Sequence, residues 1–435
     1  FGFAKDHHKI LTEYFPTDVL VWQNNIPDMG HSHGIDKSAE VNIEGDDAKI
    51  VGSTVMLTYT LSGHGGSIYI KGDRTVVDHS NFTNSSSKEI EGASDIDLGG
   101  AMYVEGDDTN ITYARFQYAS ATRGGAIYIQ GHNTHVSHSN FVSLGSTREN
   151  MNQSGVNADA WGGAIYVGGD DAVISYDYFS QTNSGKGGAV YVAGNDTEIS
   201  HSSFDLHRAI NGGAVYVAGN GASITDFSFA SLNITGNGSA IYVAGDDAVI
   251  SRGDFTQSQA DFGGAIYVEG DRTEISHATF QRHGATSAGG AIYIAGDDTN
   301  ITDASFMYLN IVGDGGSIYV GGKGTHISKA EFAFSNATRG GAIFIEGNDT
   351  VIESHFHHCF ATNMRMPYQI AGGAIYVQGS NNEIRNSDFF LTNAINGVGG
   401  AIYAGGANTI IDNITTNVTL AIETSAPGKG GEGGS

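Results

Sequence analysis

The chain has 435 residues, of which 63 are Gly and only 4 Pro; 40% are hydrophobic, and 47 acidic against 21 basic side chains give a formal net charge of −26. A disordered Gly-rich chain would carry more Pro and less apolar surface, so the glycines are placed rather than scattered. The acidic balance disfavours nucleic acid and anionic membrane as partners, since both are met by basic surfaces, and no apolar run reaches the 18 residues a spanning helix needs.

In chain order, residues 1–37 carry no repeat. They hold Val19-Leu20-Val21, Trp22 and the pair His31 and His33. This stretch reads as an N-terminal cap or docking segment. The chain starts at Phe1 rather than Met, consistent with a removed leader. His31 and His33 have metal-ligand side chains but no recognised ligand spacing, which makes them weak metal candidates.

From 38 to 412 one phrase recurs: Gly-Gly-Ala-Ile-Tyr-Val-x-Gly-Asp. It starts at Gly65, Gly99, Gly124, Gly162, Gly187, Gly212, Gly238, Gly263, Gly289, Gly315, Gly340, Gly372 and Gly399, with spacings of 34, 25, 38, 25, 25, 26, 25, 26, 26, 25, 32 and 27. A degenerate copy precedes them at 38–45. A Phe follows the first Gly by 17 residues in most copies, from Phe82 and Phe116 to Phe332 and Phe389, slipping by one at Phe356. A fixed period without helical patterning means a β-solenoid. The expected fold is all-β, a right-handed single-stranded parallel β-helix of 13 to 14 coils, each of about 25 residues with three strands and three corners. Residues 413–427 read as a C-terminal strand or cap containing 418–424. Residues 428–435 read as a flexible Gly-rich tail.

Side-chain direction follows from the period of two. The residue after Val varies freely and must face solvent, so the Tyr two positions earlier faces out and Ile and Val face in. The outward ladder is Tyr69, Tyr103, Tyr128, Tyr166, Tyr191, Tyr216, Tyr242, Tyr267, Tyr293, Tyr319, Tyr376 and Tyr403, with Phe344 in one rung. It has three readings: stacking that stabilises the sheet, a flat contact face for another subunit, or a polysaccharide face.

Three insertions, at 83–98, 142–161 and 357–371, all fall between the Phe and the next Gly-Gly, so they leave one corner of the solenoid. Insertions on one face often mark a binding face. The turn after the first strand carries stacked carboxylates, including Asp107, Asp170, Asp246 and Asp297, which are weak candidates for Ca²⁺ held between coils. His79, His138, His201 and His277 share a coil position but in non-adjacent coils, so no stack is expected. Asn-x-Ser/Thr sequons occur at Asn81, Asn84, Asn110, Asn152, Asn195, Asn233, Asn237, Asn300, Asn336, Asn348, Asn413 and Asn417, which are glycosylation candidates. No nucleophile elbow, zinc-protease motif or phosphate loop is present, so no enzyme is expected; no catalytic residue and no bound cofactor is assigned.

The Gly-Gly-Ala-Ile phrase with its downstream Phe resembles two groups of surface proteins: the repeats of chlamydial polymorphic outer-membrane proteins, and adhesin-like or sheath-type surface proteins of methanogenic archaea. The resemblance covers about residues 38–412. The Asn spacing is Phe-x-x-x-Asn, as at Phe229/Asn233 and Phe332/Asn336, rather than the chlamydial Phe-x-x-Asn. What the resemblance implies is an extracellular, cell-surface location and a structural or adhesive role. The first expectation is a self-associating structural subunit of a sheath, surface layer or fibre. The alternative is a monomeric adhesin or glycan-binding stalk using the three same-corner loops. A polysaccharide lyase or hydrolase comes third.

Overall fold

The computed structural model describes residues 41–422 apart from 57, 62–64, 89–96, 146–156, 231–233, 235, 363–370 and 396. The described residues form β-strands, turns and bends, and no helix occurs among them. The fold is a parallel β-solenoid of about 13 turns, each of about 26 residues. The chain divides into two compact units, Phe1–Phe229 and Ala230–Ser435. Both are built from the same coil.

The coil that begins at Gly289 shows the pattern. Ile292–Ile294 is the first strand; Gly296-Asp297-Asp298 turns the chain into the second, Asn300–Thr302; Asp303 turns it again into the third, Ser305–Met307. Each strand lies parallel and in register on its counterparts, Ile292 between Ile266 and Ile318, and Phe306 between Phe280 and Phe332. In the first unit the same registers run from Val41–Ile43 through Ile68–Ile70 and Met102–Val104 to Val215–Val217. The second unit repeats them from Ile241–Val243 to Ile402–Ala404.

In-register winding places like side chains one strand spacing apart, about 4.7–4.9 Å. The inward Phe rings therefore stack face to face. Their centroids lie 4.7–5.0 Å apart from Phe82 to Phe229 in the first unit. From Phe255 to Phe389 in the second they lie 4.7–4.9 Å apart. In the coils between the two outermost described ones, the inward Ile and Val of the first strand and the Ile or Val of the second are equally buried. Burial of such side chains, each worth about 1.5–3 kcal/mol before entropy, drives the winding.

The two glycines of each pair are needed for different reasons. Gly289 has φ +64, a left-handed conformation costly for a side chain; Gly290 has ordinary φ, but a Cβ there would overlap the carbonyl oxygen of Gly316 in the next coil. Ser239 takes the second position in one coil, with its hydroxyl bonded to the Gly264 carbonyl. Three further positions are left-handed without glycine, at Asp298 (φ 55), Asp303 (φ 51) and Tyr308 (φ 59) in this coil and at equivalent positions elsewhere. Such residues cost about 1–2 kcal/mol each, offset by the packing that follows.

The coil differs from the expected three strands in one respect. Its last quarter also pairs between coils, as isolated bridges linking Ser86, Ser120, Gly145, Asn183 and Arg208, and as short strands such as Phe360–Thr362, Asn393–Ile395 and Leu420–Ile422. The residues there differ from coil to coil, from Ser86, Gly145 and Arg208 to Phe360 and Leu420, so no apolar period marks them. The strand Ile410–Asn417 runs across the expected 412/413 boundary and pairs along its length with Glu383–Phe390.

Half or more of each insertion lies outside the described residues. Where the chain re-emerges it rejoins the ladder: Leu98 and Trp161 both bridge Arg123, and the Ala371 carbonyl accepts from Gly340 N–H at 3.2 Å. The coil at 351–371 is one residue short. It loses the left-handed corner between second and third strands, and Val351–His357 becomes one strand with a register shift against its neighbours.

Candidate functional surfaces

The carboxylates of the first turn are engaged by the backbone. Each lies above the turn of the next coil and accepts its N–H. In the first unit Asp46 Oδ1 accepts from Asp73, Asp73 from Asp107, Asp107 from His132 and Asp170 from Asn195, at 2.7–3.1 Å. In the second unit Asp246 accepts from Asp271, Asp271 from Asp297 and Asp297 from Lys323, at 2.8–2.9 Å. The other oxygen of Asp297 faces Lys323 Nζ at 3.3 Å, and that of Asp246 faces Arg272 at 3.3 Å. The Lys323 backbone N–H, and then its ammonium, hold the Asp297 carboxyl below its ordinary range. This is a capping zipper, and the Ca²⁺ expectation finds no convergent ligands in it. Among the described residues no three His, Cys, Asp or Glu side chains converge on a metal position. His31 and His33 lie outside the described residues.

The outward Tyr ladder stacks with centroids 4.6–5.2 Å apart from Tyr69 to Tyr216. In the second unit the separations from Tyr242 to Tyr403, through Phe344, are 4.7–5.1 Å. The rings cover one another. Tyr103, Tyr128, Tyr166, Tyr191, Tyr216, Tyr242 and Tyr376 are buried, while Tyr69, Tyr267, Tyr293, Tyr319 and Tyr403 are half-buried. Hydroxyls tie the ladder across coils, Tyr242 to Glu269 at 2.6 Å and likewise Tyr69 to Glu105, Tyr103 to Gln130 and Tyr319 to Glu346. Burial pushes the Tyr166 and Tyr191 phenols up to about 12.

In several coils the residue before the Gly-Gly pair roofs this ladder. Arg123 lies 4.2 Å over the Trp161 ring, which stacks on Tyr191 at 5.1 Å; Lys186 lies 4.9 Å over Tyr216. In the second unit Arg339 lies 4.7 Å over Phe344 while paired with Asp314 at 2.6 Å. The expected bare, flat aromatic face is therefore largely closed by its own stacking and by this roof. Spacing alone placed the Tyr side chains outward; it did not reveal the row alongside them.

The histidine expectation is corrected. Tyr113 and Tyr176 fill the intervening coils, so His79, Tyr113, His138, Tyr176 and His201 form one continuous exposed stack, with centroids 4.5–4.9 Å apart. All five occupy left-handed corners with φ 47–58. The signal was present as an alternation of His and Tyr at one coil position. Comparing only the His residues missed it.

No family model, curated protein or solved structure matches the chain.

Cys359 points into the core, fully buried, with its Sγ 3.6 Å from the carbonyls of Phe332 and His357. Burial pushes its thiol up to about 12. It is therefore neither a nucleophile nor a bridge to another chain while the coil is wound. Two histidines are also buried. His207 Nδ1 meets the Thr182 hydroxyl at 2.7 Å, and His283 bonds the Phe255 carbonyl and Ser258 N–H at 3.0 and 3.2 Å. Burial pushes His207 down to about 3 and His283 to about 4. Asp177 is buried with Oδ1 accepting from Ser139 N–H at 2.6 Å; desolvation pushes its carboxyl well above the usual range.

Of the sequons, Asn84, Asn110, Asn195, Asn348, Asn413 and Asn417 are exposed. Asn81, Asn237, Asn300 and Asn336 are half-buried, and Asn152 and Asn233 lie outside the described residues. The Asn413 amide already donates to Asn386 Oδ1 at 2.7 Å, and that of Asn336 to Asn310 Oδ1 at 3.3 Å.

The remaining feature is at the coil edges. The inward Ile352 and Ile384 are fully buried, yet Ile411, stacked on Ile384, is 43% exposed. Leu420 and Val418 are exposed beside it. In the first unit, at the edge formed by its first described coil, Ile50 and Val55 are half-buried against fully buried Val77 and Phe82, and Val51 and Met56 are exposed.

Proposed function

We propose that the protein is a structural subunit of an extracellular assembly such as a sheath, surface layer or fibre, and that its copies join through these coil edges. The observation that carries this reading is Ile411: among the described residues, a side chain in a core position at the edge of the sheet, 43% open to water. A sheet edge bearing apolar inward residues is a template for another strand. The edge at Val41–Ile43, Lys49–Val51 and Thr54–Met56 has the same parallel polarity and the same inward apolar pattern, so it is the complementary half. Two different edges that fit one another make a head-to-tail contact, which propagates as an open filament. The resemblance of the Gly-Gly-Ala-Ile repeat to surface proteins supports the same location.

Electron microscopy and light scattering of the purified chain test this. Wild-type protein forms filaments. Ile411→Glu and Ile50→Glu each abolish growth, because every joint needs both edges. Mixed together, the two variants form a dimer of one of each and stop, since each keeps one intact edge. Growth of either variant alone overturns the reading.

The second reading, a monomeric adhesin or glycan-binding stalk, draws on the three insertions, whose described flanks all rejoin the ladder at one corner. It requires single particles that bind cells or glycans and lose binding when 146–156 is deleted.

A further inference from the structure

The shortened coil at 351–371 brings together two adjacent histidines, a pair that no other described coil carries. His357 ends its strand and His358 takes the left-handed corner that follows (φ 53). Their Nδ1 atoms face each other at 3.4 Å. Good nitrogen-donor hydrogen bonds lie at about 2.7–3.2 Å, so this contact is a long and weak one. Two imidazole nitrogens bound at 2.0–2.1 Å to one tetrahedral ion would stand about 3.3–3.4 Å apart. The separation is thus that of two ligands of one ion.

The surroundings fit the same chemistry. The far nitrogen of His357, Nε2, meets Glu331 Oε1 at 3.1 Å. A carboxylate behind the ring fixes the tautomer that leaves Nδ1 with its lone pair outward, and it raises the basicity of the ligand. Phe334 stacks on the His358 ring at 4.7 Å and meets the His357 ring edge-on at 5.8 Å, so both rings are held in place. Neighbouring coils carry Ala333 and Phe390 opposite His357, and no other left-handed corner among the described residues of the second unit is followed or preceded by such a pair. The other nearby histidines turn away: His355 pairs with Asp388 at 3.1 Å and His326 with Glu353 at 3.6 Å.

We propose that His357 and His358 form a two-nitrogen site for a divalent first-row transition ion that favours imidazole, Zn²⁺ or Cu²⁺, with Glu331 as the positioning residue and water completing the coordination. The site is distinct from the acidic turn ladder, whose carboxylates accept from backbone N–H groups.

The test is calorimetric titration of the full chain with Zn²⁺ alone. His357→Ala and His358→Leu are the informative variants, because the fold already places Ala333 and Leu391 at those two positions in neighbouring coils. Wild type takes up one more equivalent than either variant, and any sites elsewhere on the chain cancel in the difference. Glu331→Gln keeps the equivalent but weakens it about 10–100-fold. His355→Ala leaves it unchanged. On the wild-type chain, Cu²⁺ gives a paramagnetic resonance spectrum with two nitrogen couplings that is lost in both variants. Equal uptake by wild type and His358→Leu, or loss of the equivalent in His355→Ala, overturns the proposal.

Discussion

The threonines inside the second unit make an unusual prediction: replacing them with valine stabilises the coil. Thr273, Thr299 and Thr325 face inward immediately before the second strand in three consecutive coils and are fully buried. Each Oγ1 is shielded from water and has no hydrogen-bond partner. An orphaned buried hydroxyl costs about 1–3 kcal/mol, and valine has nearly the same shape without it. The position also holds Ala248 in the same unit, so it does not depend on a hydroxyl. Each Thr→Val substitution should contribute about 1 kcal/mol, and the triple about 2–3 kcal/mol, with some non-additivity because the sites touch. For a unit of this size 1 kcal/mol corresponds to about 2–4 °C in Tm, so the triple variant should melt about 4–12 °C higher. Thr109, in the first unit, is the internal control: its hydroxyl lies 3.4 Å from the Gly106 carbonyl, so Thr109→Val should gain less or lose slightly. Circular dichroism melts of the five variants decide the matter. A lower Tm for the triple variant would show that these hydroxyls are satisfied and would refute the reasoning.

Three further outcomes are expected. Gly290→Ala forces a Cβ against the Gly316 carbonyl, a backbone atom that cannot swing away, and should lower stability by at least about 3 kcal/mol by denaturant titration. His207 and His283 are held neutral by burial, so the unfolded chain binds their protons first as pH falls. Their stability contribution is complete above about pH 6.5 and is lost between there and about pH 4 for His283, about 3 kcal/mol in all for that residue; His283→Leu should flatten this part of the pH–stability curve. Cys359 should resist a thiol reagent in native buffer and react at once in denaturant; reaction at the native rate of a free thiol would show that the core is open there.

The repeat is fully legible in the order of the residues. The Gly-Gly phrase, the 17-residue offset to Phe and the alternation of inward and outward residues imply parallel coils with Phe on Phe, because winding in register can only place equals above equals. The fourth pairing of each coil is not legible there, since Ser86, Ser120, Gly145 and Asn183 share no property beyond small size or polarity. The roof over the Tyr ladder is hidden for the same reason. Arg123, Trp161 and Lys186 are unlike one another and meet only when three coils stack.

What one strand of text determines here is therefore everything that repeats: period, direction of side chains, the need for glycine at the corner. The tertiary structure decided what depends on differences between coils. It turned the stacked aspartates into acceptors for backbone N–H, joined His79 and His201 through the tyrosines between them, and set His357 against His358 where one residue is missing. Each of these is a contact between residues a full coil apart, or a local consequence of a lost corner, and its chemistry is set by distances of a few ångströms that spacing along the chain does not encode.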